Sequence, residues 1–211
     1  MVGIRSVAKT QLNRALEKAM GVRIYSVRAH GREDWHDIRM SGCRIESVFD
    51  VGANMGQSAQ KFRGAFPKAK IYCFEPVRGL FQELKKSVAG DAHVQCFQIA
   101  LGSARGLGKI YLTDHSTTSS LVEPEHARGW EEVQIDAVDS FCAAREIERT
   151  DLLKVDAEGF EVFKGADSLL SSSRVAFVLA EVGFHPRDTR HVLFDHAREL
   201  LMARGFHVYG F

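Results

Sequence analysis

Lys154, Asp156 and Glu158 alternate with Val155 and Ala157 directly after the apolar pair Leu152-Leu153. If that strand stays extended, alternation places all three ionisable groups on one side. Charges beside a buried strand persist when they are paired or functional. Asp156 is the candidate general base or hydroxyl orienter, with Lys154 or Glu158 holding it. The competing reading is a structural Lys–carboxylate pair that shapes a neighbouring loop. Glu181 and His185 follow the next apolar run, residues 175–182, and face this cluster if the two strands are neighbours. His185 is the second candidate base. Asp156, Glu158 and Glu181 are also a conceivable acid set for a divalent ion. No His or Cys ligand spacing supports one, and no metal is expected.

A second chemical signal lies upstream. The segment Asp50-Val51-Gly52-Ala53-Asn54-Met55-Gly56 follows the apolar pair Val48-Phe49 and precedes Ala59, Phe62, Ala65 and Phe66 at helical spacing. A strand that breaks at glycines and restarts as a helix builds nucleotide-type pockets at the carboxyl ends of open α/β sheets. Glycine lets the backbone turn sharply and approach a ligand closely. Gly52 and Gly56 are four apart, which does not match the dinucleotide fingerprint. Glu75-Pro76 ends the next apolar run, and a carboxylate there can accept both hydroxyls of a ribose. Small residues at Ala100-Leu101-Gly102 after the third run either leave room for an adenine or form a plain turn.

These groups need a scaffold, and the periodicity supplies one. Strands are expected over 45–51, 70–74, 93–101, 152–155 and 175–182, with a last one at 206–211. Helices are expected near 56–66, 80–88, 160–170 and 192–201. Val175 onward is nearly unbroken apolar sequence, as for the centre of a parallel sheet. Alternating units imply a mostly parallel, doubly wound α/β sheet with helices on both faces. Residues 109–113 and 132–138 interrupt the rhythm as extra strands. Between them lies a polar loop, 114–130, with the hydroxyl-rich run Ser116 to Ser120. It is the expected lid over an acceptor.

The chain has 211 residues, 45% hydrophobic and 26% charged, which suits one domain and a short appendage. The division expected is an arm over 1–44 and a domain over 45–211. A net charge of +1 predicts no nucleic-acid partner. Residues 1–30 carry six basic side chains and only Glu17 as an acid. Ile4, Val7, Ala8, Leu12, Ala15, Leu16, Ala19 and Met20 fall at helical spacing there, with Gly21 as the stop. Such a basic amphipathic helix packs on the domain or lies weakly on an anionic membrane surface. Cys43, Cys73, Cys96 and Cys142 are widely spaced and read as reduced. Without a membrane-length apolar run or a secretory signal, the expected location is the cytoplasm. Oligomeric state is not readable.

Taken in order, these pieces resemble FkbM-type methyltransferases, which are S-adenosylmethionine (SAM)-dependent O-methyltransferases with a Rossmann-like class I fold. The resemblance rests on Asp50 to Ala59, Phe74-Glu75-Pro76, Ala100-Leu101-Gly102, Ser119-Ser120-Leu121, Val138-Asp139, Leu153 to Glu161 and Lys164-Gly165-Ala166. It implies SAM contacts at Asp50, Gly52, Asn54, Gly56 and Glu75; the strand-end residues Ala53, Pro76 and Ala100 are the further cofactor-pocket candidates. It also implies that the Lys154–Asp156–Glu158 segment lies near the transferred methyl. The acceptor would be a hydroxyl of a small molecule or a glycan. A class I methyltransferase acting on nitrogen or carbon, and a silent SAM-binding adaptor, are the alternatives. The class I fold normally closes with an antiparallel pair of strands, and only one is legible after residue 201.

Overall fold

The computed structural model describes residues 34–112, 129–156, 159–185 and 191–210. The expected arm helix, most of the 114–130 loop and Glu158 lie outside the described residues.

The described helices are α1 (Asp34–Met40), α2 (Gln57–Ala65), α3 (Arg78–Ser87), α4 (Val138–Ala143), α5 (Gly159–Gly165), α6 (Asp167–Ser171) and α7 (Phe194–Met202). The strands are β1 (Ser47–Val51), β2 (Lys70–Phe74), β3 (Val94–Phe97), β4 (Ala100–Gly102), β5 (Gly106–Leu112), β6 (Gly129–Ala137), β7 (Thr150–Val155), β8 (Val175–Ala180), β9 (Val182–Gly183) and β10 (Val192–Leu193). Five of them form an all-parallel sheet in the order β3-β2-β1-β7-β8. The order reverses on either side of β1, so the ends of β1 and β7 open the crevice where ligands of such sheets bind.

Strand alternation divides the core in two. Phe49, Val51, Phe74, Leu153 and Val155 pack on one face with α4 to α6, and Val48, Ile71, Cys73 and Leu152 pack on the other with α2 and α3. The first face is aromatic: Phe74 meets Phe141 at 4.8 Å and Phe97 meets Phe141 at 4.9 Å, both edge-on. Helices cover both faces, as the doubly wound reading requires. Helix α1 falls inside the span expected to be arm, yet its Ile38 is buried beside Ile45 and Phe62.

Four expectations change. The single third strand divides: β3 edges the main sheet, and β4 leaves it to pair with β6, which pairs antiparallel with β5. The single helix over 160–170 breaks at Ala166, between α5 and α6. The apolar run from Val175 is the outermost strand of the five, not a central one, and most of its side chains are only partly buried. Residues 206–210 form no strand; Tyr209 instead rests edge-on against Phe177 of β8 at 6.0 Å.

A close approach locks the second sheet to the helices. A Cβ on Gly165 would run into the carbonyl oxygen of Gly102 in β4. Gly165→Ala would gain helix propensity of about 1 kcal/mol. The obstacle is backbone that cannot swing aside, and overpacking of this kind costs about 1–3 kcal/mol. We expect urea denaturation to show the variant destabilised; a more stable variant would refute the contact.

Candidate active site

The glycine turn is self-contained. The Phe74 carbonyl at the end of β2 accepts the N–H groups of both Gly52 and Ala53 at 3.0 Å. Asn54 N–H donates to Glu75 Oε2 at 3.0 Å, Met55 N–H to Asn54 Oδ1 at 2.8 Å, and Gly56 N–H to the Ala53 carbonyl at 2.9 Å. Gly52, Asn54 and Gly56 hold φ of 74°, 50° and 95°, a region natural to glycine and tolerated by asparagine. A Cβ on Gly52 would also strike the carbonyl oxygen of Asp156. The turn and the end of β7 are therefore in direct backbone contact.

Glu75 is buried, with Oε1 accepting from Val77 N–H at 2.9 Å and Oε2 from Asn54 N–H. Each oxygen keeps a second acceptor site, which suits the paired hydroxyls of a ribose. Burial raises its pKa, against those backbone hydrogen bonds and the Lys154 charge. Glu75 and the Gly52 to Gly56 turn are thus the residues that could hold a nucleoside cofactor, with Glu75 as the acceptor for ribose hydroxyls. Pro76 is half-buried, and Ala100 packs among Val77, Ile110 and Val133 rather than standing open.

Asp50 is fully buried and turned away from solvent. Ser58 Oγ donates to its Oδ2 at 2.6 Å, and Lys154 Nζ lies 3.0 Å from its Oδ1. This arrangement makes Asp50 an anchor beneath the turn. Asp50 and Lys154 are register partners on the adjacent strands β1 and β7. The Lys154 ammonium donates to the carbonyls of Gly52 at 3.1 Å and Val51 at 3.4 Å, and lies 3.2 Å from Asp156 Oδ2. Burial works against its charge, but Asp50 and Asp156 outweigh that and its pKa is raised. Lys154 is consequently a fixed cation and no base, as the structural-pair reading anticipated.

Asp156 stands half-exposed at the mouth. Burial resists its charge, but the neighbouring Glu181 and the Lys154 ammonium prevail, and its pKa is lowered. His185 is exposed beyond β9. A histidine set against the acids is His191, whose Nε2 lies 3.3 Å from Glu181 Oε1. Sequence reasoning missed His191 because the residues between it and β9 carry no periodic signal. Ser58 was legible in principle, in the first turn of a helix that follows a glycine turn. Among the described residues, no group of three or more His, Cys, Asp or Glu side chains is arranged to hold a metal ion, and no helix is long and apolar enough to cross a membrane.

Lys154→Met leaves the Asp50 carboxylate buried and uncompensated, which should cost about 3–5 kcal/mol in urea denaturation. Adding Asp50→Asn should recover part of that loss; no recovery would show that Asp50 is not the counter-ion. Because the folded-state pKa of Lys154 is raised, the pair's contribution is complete below the ordinary lysine value of 10.5 and is lost as pH rises through the folded-state value. Gly52→Ala strains a left-handed position by about 1–2 kcal/mol and displaces the turn. Calorimetry should show SAM affinity reduced by about tenfold.

The family profile described as Methyltransferase FkbM domain matches residues 50–208. The 2-O-methyltransferase NoeI of Sinorhizobium fredii is 23% identical over 148 residues, covering 62% of this chain and 61% of that protein. Methyltransferase sdnD of Sordaria araneosa is 30% identical over 155 residues, covering 57% of this chain and 60% of that protein. The chain thus spans about three-fifths of the length of these curated relatives. Among solved structures, a TehB-like SAM-dependent methyltransferase from Corynebacterium glutamicum matches with 12% identity and a TM-score of 0.39, over 95% of this chain and 82% of that one. A methyltransferase from Pyrococcus furiosus matches with 12% identity and a TM-score of 0.40, over 97% and 89%. The matched span takes in the glycine turn, Glu75 and the Lys154–Asp156 mouth, and on it this chain belongs to the FkbM family of SAM-dependent methyltransferases.

Proposed function

We propose that this protein transfers a methyl group from SAM to a hydroxyl oxygen of a small molecule or glycan. The observation that carries the reading is Asp156: a carboxylate held 3.2 Å from Lys154, half-exposed, with its backbone in contact with the Gly52 turn. SAM, when bound, supplies an electrophilic methyl on a sulfonium. The chain's own contribution is alignment and electrostatics. Holding the reactants in attack geometry contributes about 7–11 kcal/mol. An alcohol is a poor nucleophile while protonated, and a positioned proton acceptor is worth about 10²–10⁴-fold. Nitrogen acceptors need no such group, so a carboxylate poised at the mouth favours oxygen. The relative NoeI, a 2-O-methyltransferase by name, supports the same choice.

Four free cysteines, with Cys73 and Cys142 buried, suit a reducing cytoplasm. Burial pushes the Cys142 thiol up to about 12, so it stays protonated and inert.

The deciding experiment incubates the full chain with isotope-labelled SAM and a panel of methyl glycosides, polyketide alcohols and amines. Label should appear on oxygen. Label on nitrogen or carbon would refute the hydroxyl reading. SAM binding without transfer to any acceptor would point to an adaptor. Asp156→Asn should lower transfer by about 10²-fold or more while calorimetric SAM affinity holds. Unchanged turnover would remove Asp156 from the chemistry.

A further inference from the structure

Glu181 has no part in the chemistry so far, yet it occupies the middle of the mouth. Its N–H donates to the Val155 carbonyl at 3.0 Å, which extends the β7–β8 pairing one residue past Val155 and Ala180. In that register Glu181 stands opposite Asp156 at the ends of the two strands. On its other side the short parallel ladder pairs Val182 with Val192 and Gly183 with Leu193. Glu181 and His191 are the residues immediately ahead of that ladder, so its register sets them side by side, 3.3 Å apart. The Glu181 side chain is 55% exposed and within reach of a ligand. The result is one row, Lys154–Asp156–Glu181–His191, running from the buried cation outward.

We propose that Glu181, rather than Asp156, takes the proton of the acceptor hydroxyl, with Asp156 and Lys154 orienting it and His191 passing the proton to solvent. This role rests on the hydroxyl-methylation reading. The Lys154 ammonium, 3.2 Å from Asp156, holds that carboxylate as a fixed anion, whereas Glu181 has His191 beside it at 3.3 Å. Against burial, Glu181 and Lys154 hold Asp156 below the usual range, and Glu181 is raised, first by Asp156 and then by burial. A base works best when its pKa approaches the operating pH, so the raised carboxyl is the better proton acceptor and the lowered one is the better fixed anion. Among the described residues, the charged groups facing Glu181 are Asp156 and Lys154 from the β7 segment and His191 just ahead of β10. In the step itself, the acceptor oxygen forms the new O–C bond as the methyl–sulfonium bond breaks, its electron pair going to sulfur. The hydroxyl proton passes to the ionised Glu181 carboxylate, then to His191 and to water.

Two measurements on the full chain test this. In carboxyl- and imidazole-labelled protein, NMR should show Glu181 titrating above the ordinary glutamate range and returning toward it in Asp156→Asn. The His191 ring resonances should carry the same inflection and lose it in Glu181→Gln. Ordinary titration of Glu181, with no trace of it at His191, would overturn the proposal. The second measurement is transfer from labelled SAM to the methyl glycoside and polyketide alcohol pool. Glu181→Gln should fall about 10²–10⁴-fold with SAM affinity unchanged. Glu181→Ala should be rescued by added formate or acetate, more strongly by the more basic acetate, which a merely structural carboxylate would not allow. His191→Gln should alter the pH profile of transfer more than its maximum. Wild-type rates in Glu181→Gln, or rescue confined to Asp156 variants, would return the base role to Asp156. If the wild type transfers to no hydroxyl in the pool, the hydroxyl reading fails and the base role fails with it, while calorimetric SAM binding is left standing.

Discussion

The buried pair of Lys154 and Asp50 is the interaction on which the rest of the site depends. Its two members are register partners on the central strands of the sheet, 3.0 Å apart, and Asp50 is wholly removed from water. A lysine in such a position keeps its charge only because two carboxylates and two carbonyls surround it. Each of those partners belongs to a different working part. The carbonyls of Val51 and Gly52 are the start of the glycine turn, Asp156 is the acceptor mouth, and Asp50 is tied through Ser58 to the first turn of α2. One ammonium therefore sets the glycine turn and the end of β7 relative to each other. The energetic case for such a pair is geometric definition more than net stability, since buried ion pairs often do no better than apolar replacements.

The fold positions the chemistry by bringing backbone close to backbone. Gly52 lies against the Asp156 carbonyl, and Gly165 lies against Gly102. The first contact joins β1 to the end of β7. The second anchors the helix after β7 to the small second sheet, whose strand β4 leaves the main sheet just beyond Phe97. Neither site tolerates a side chain without movement. The catalytic end of β7 is thus clamped from the cofactor side and from the helix side, and the row from Lys154 to His191 extends from that clamp across β8 to the short ladder of β9 and β10.

Legibility in the sequence followed the range of the interactions. The glycine turn, Glu75, and the alternation of Lys154 with Asp156 are local patterns, set by backbone sterics and strand pleat, and they could be read in order. Glu158, the basic amphipathic arm and the acceptor loop were equally readable as patterns, and they lie outside the described residues. The departures are all non-local. The apolar run from Val175 suggested a central strand, but an edge strand with one face covered by α7 and the C-terminal segment has much the same composition. Residues 93–101 suggested one strand, because periodicity cannot show that Gln98 and Ile99 divide it between two sheets. His191 reaches Glu181 through a two-residue ladder, a pairing that no local pattern announces.

By itself, the sequence determined the parallel α/β order, the family and the identity of the carboxylates at the mouth. Those properties are written in short-range spacing, which the pleat of a strand and the steric freedom of glycine translate directly into geometry. The tertiary structure alone decided which charged groups meet: Asp50 with Lys154, Lys154 with Asp156, and Glu181 with His191. These pairings depend on which groups strand register leaves within a few ångströms of one another, and for Asp50 and Lys154 that register joins segments more than a hundred residues apart in the chain.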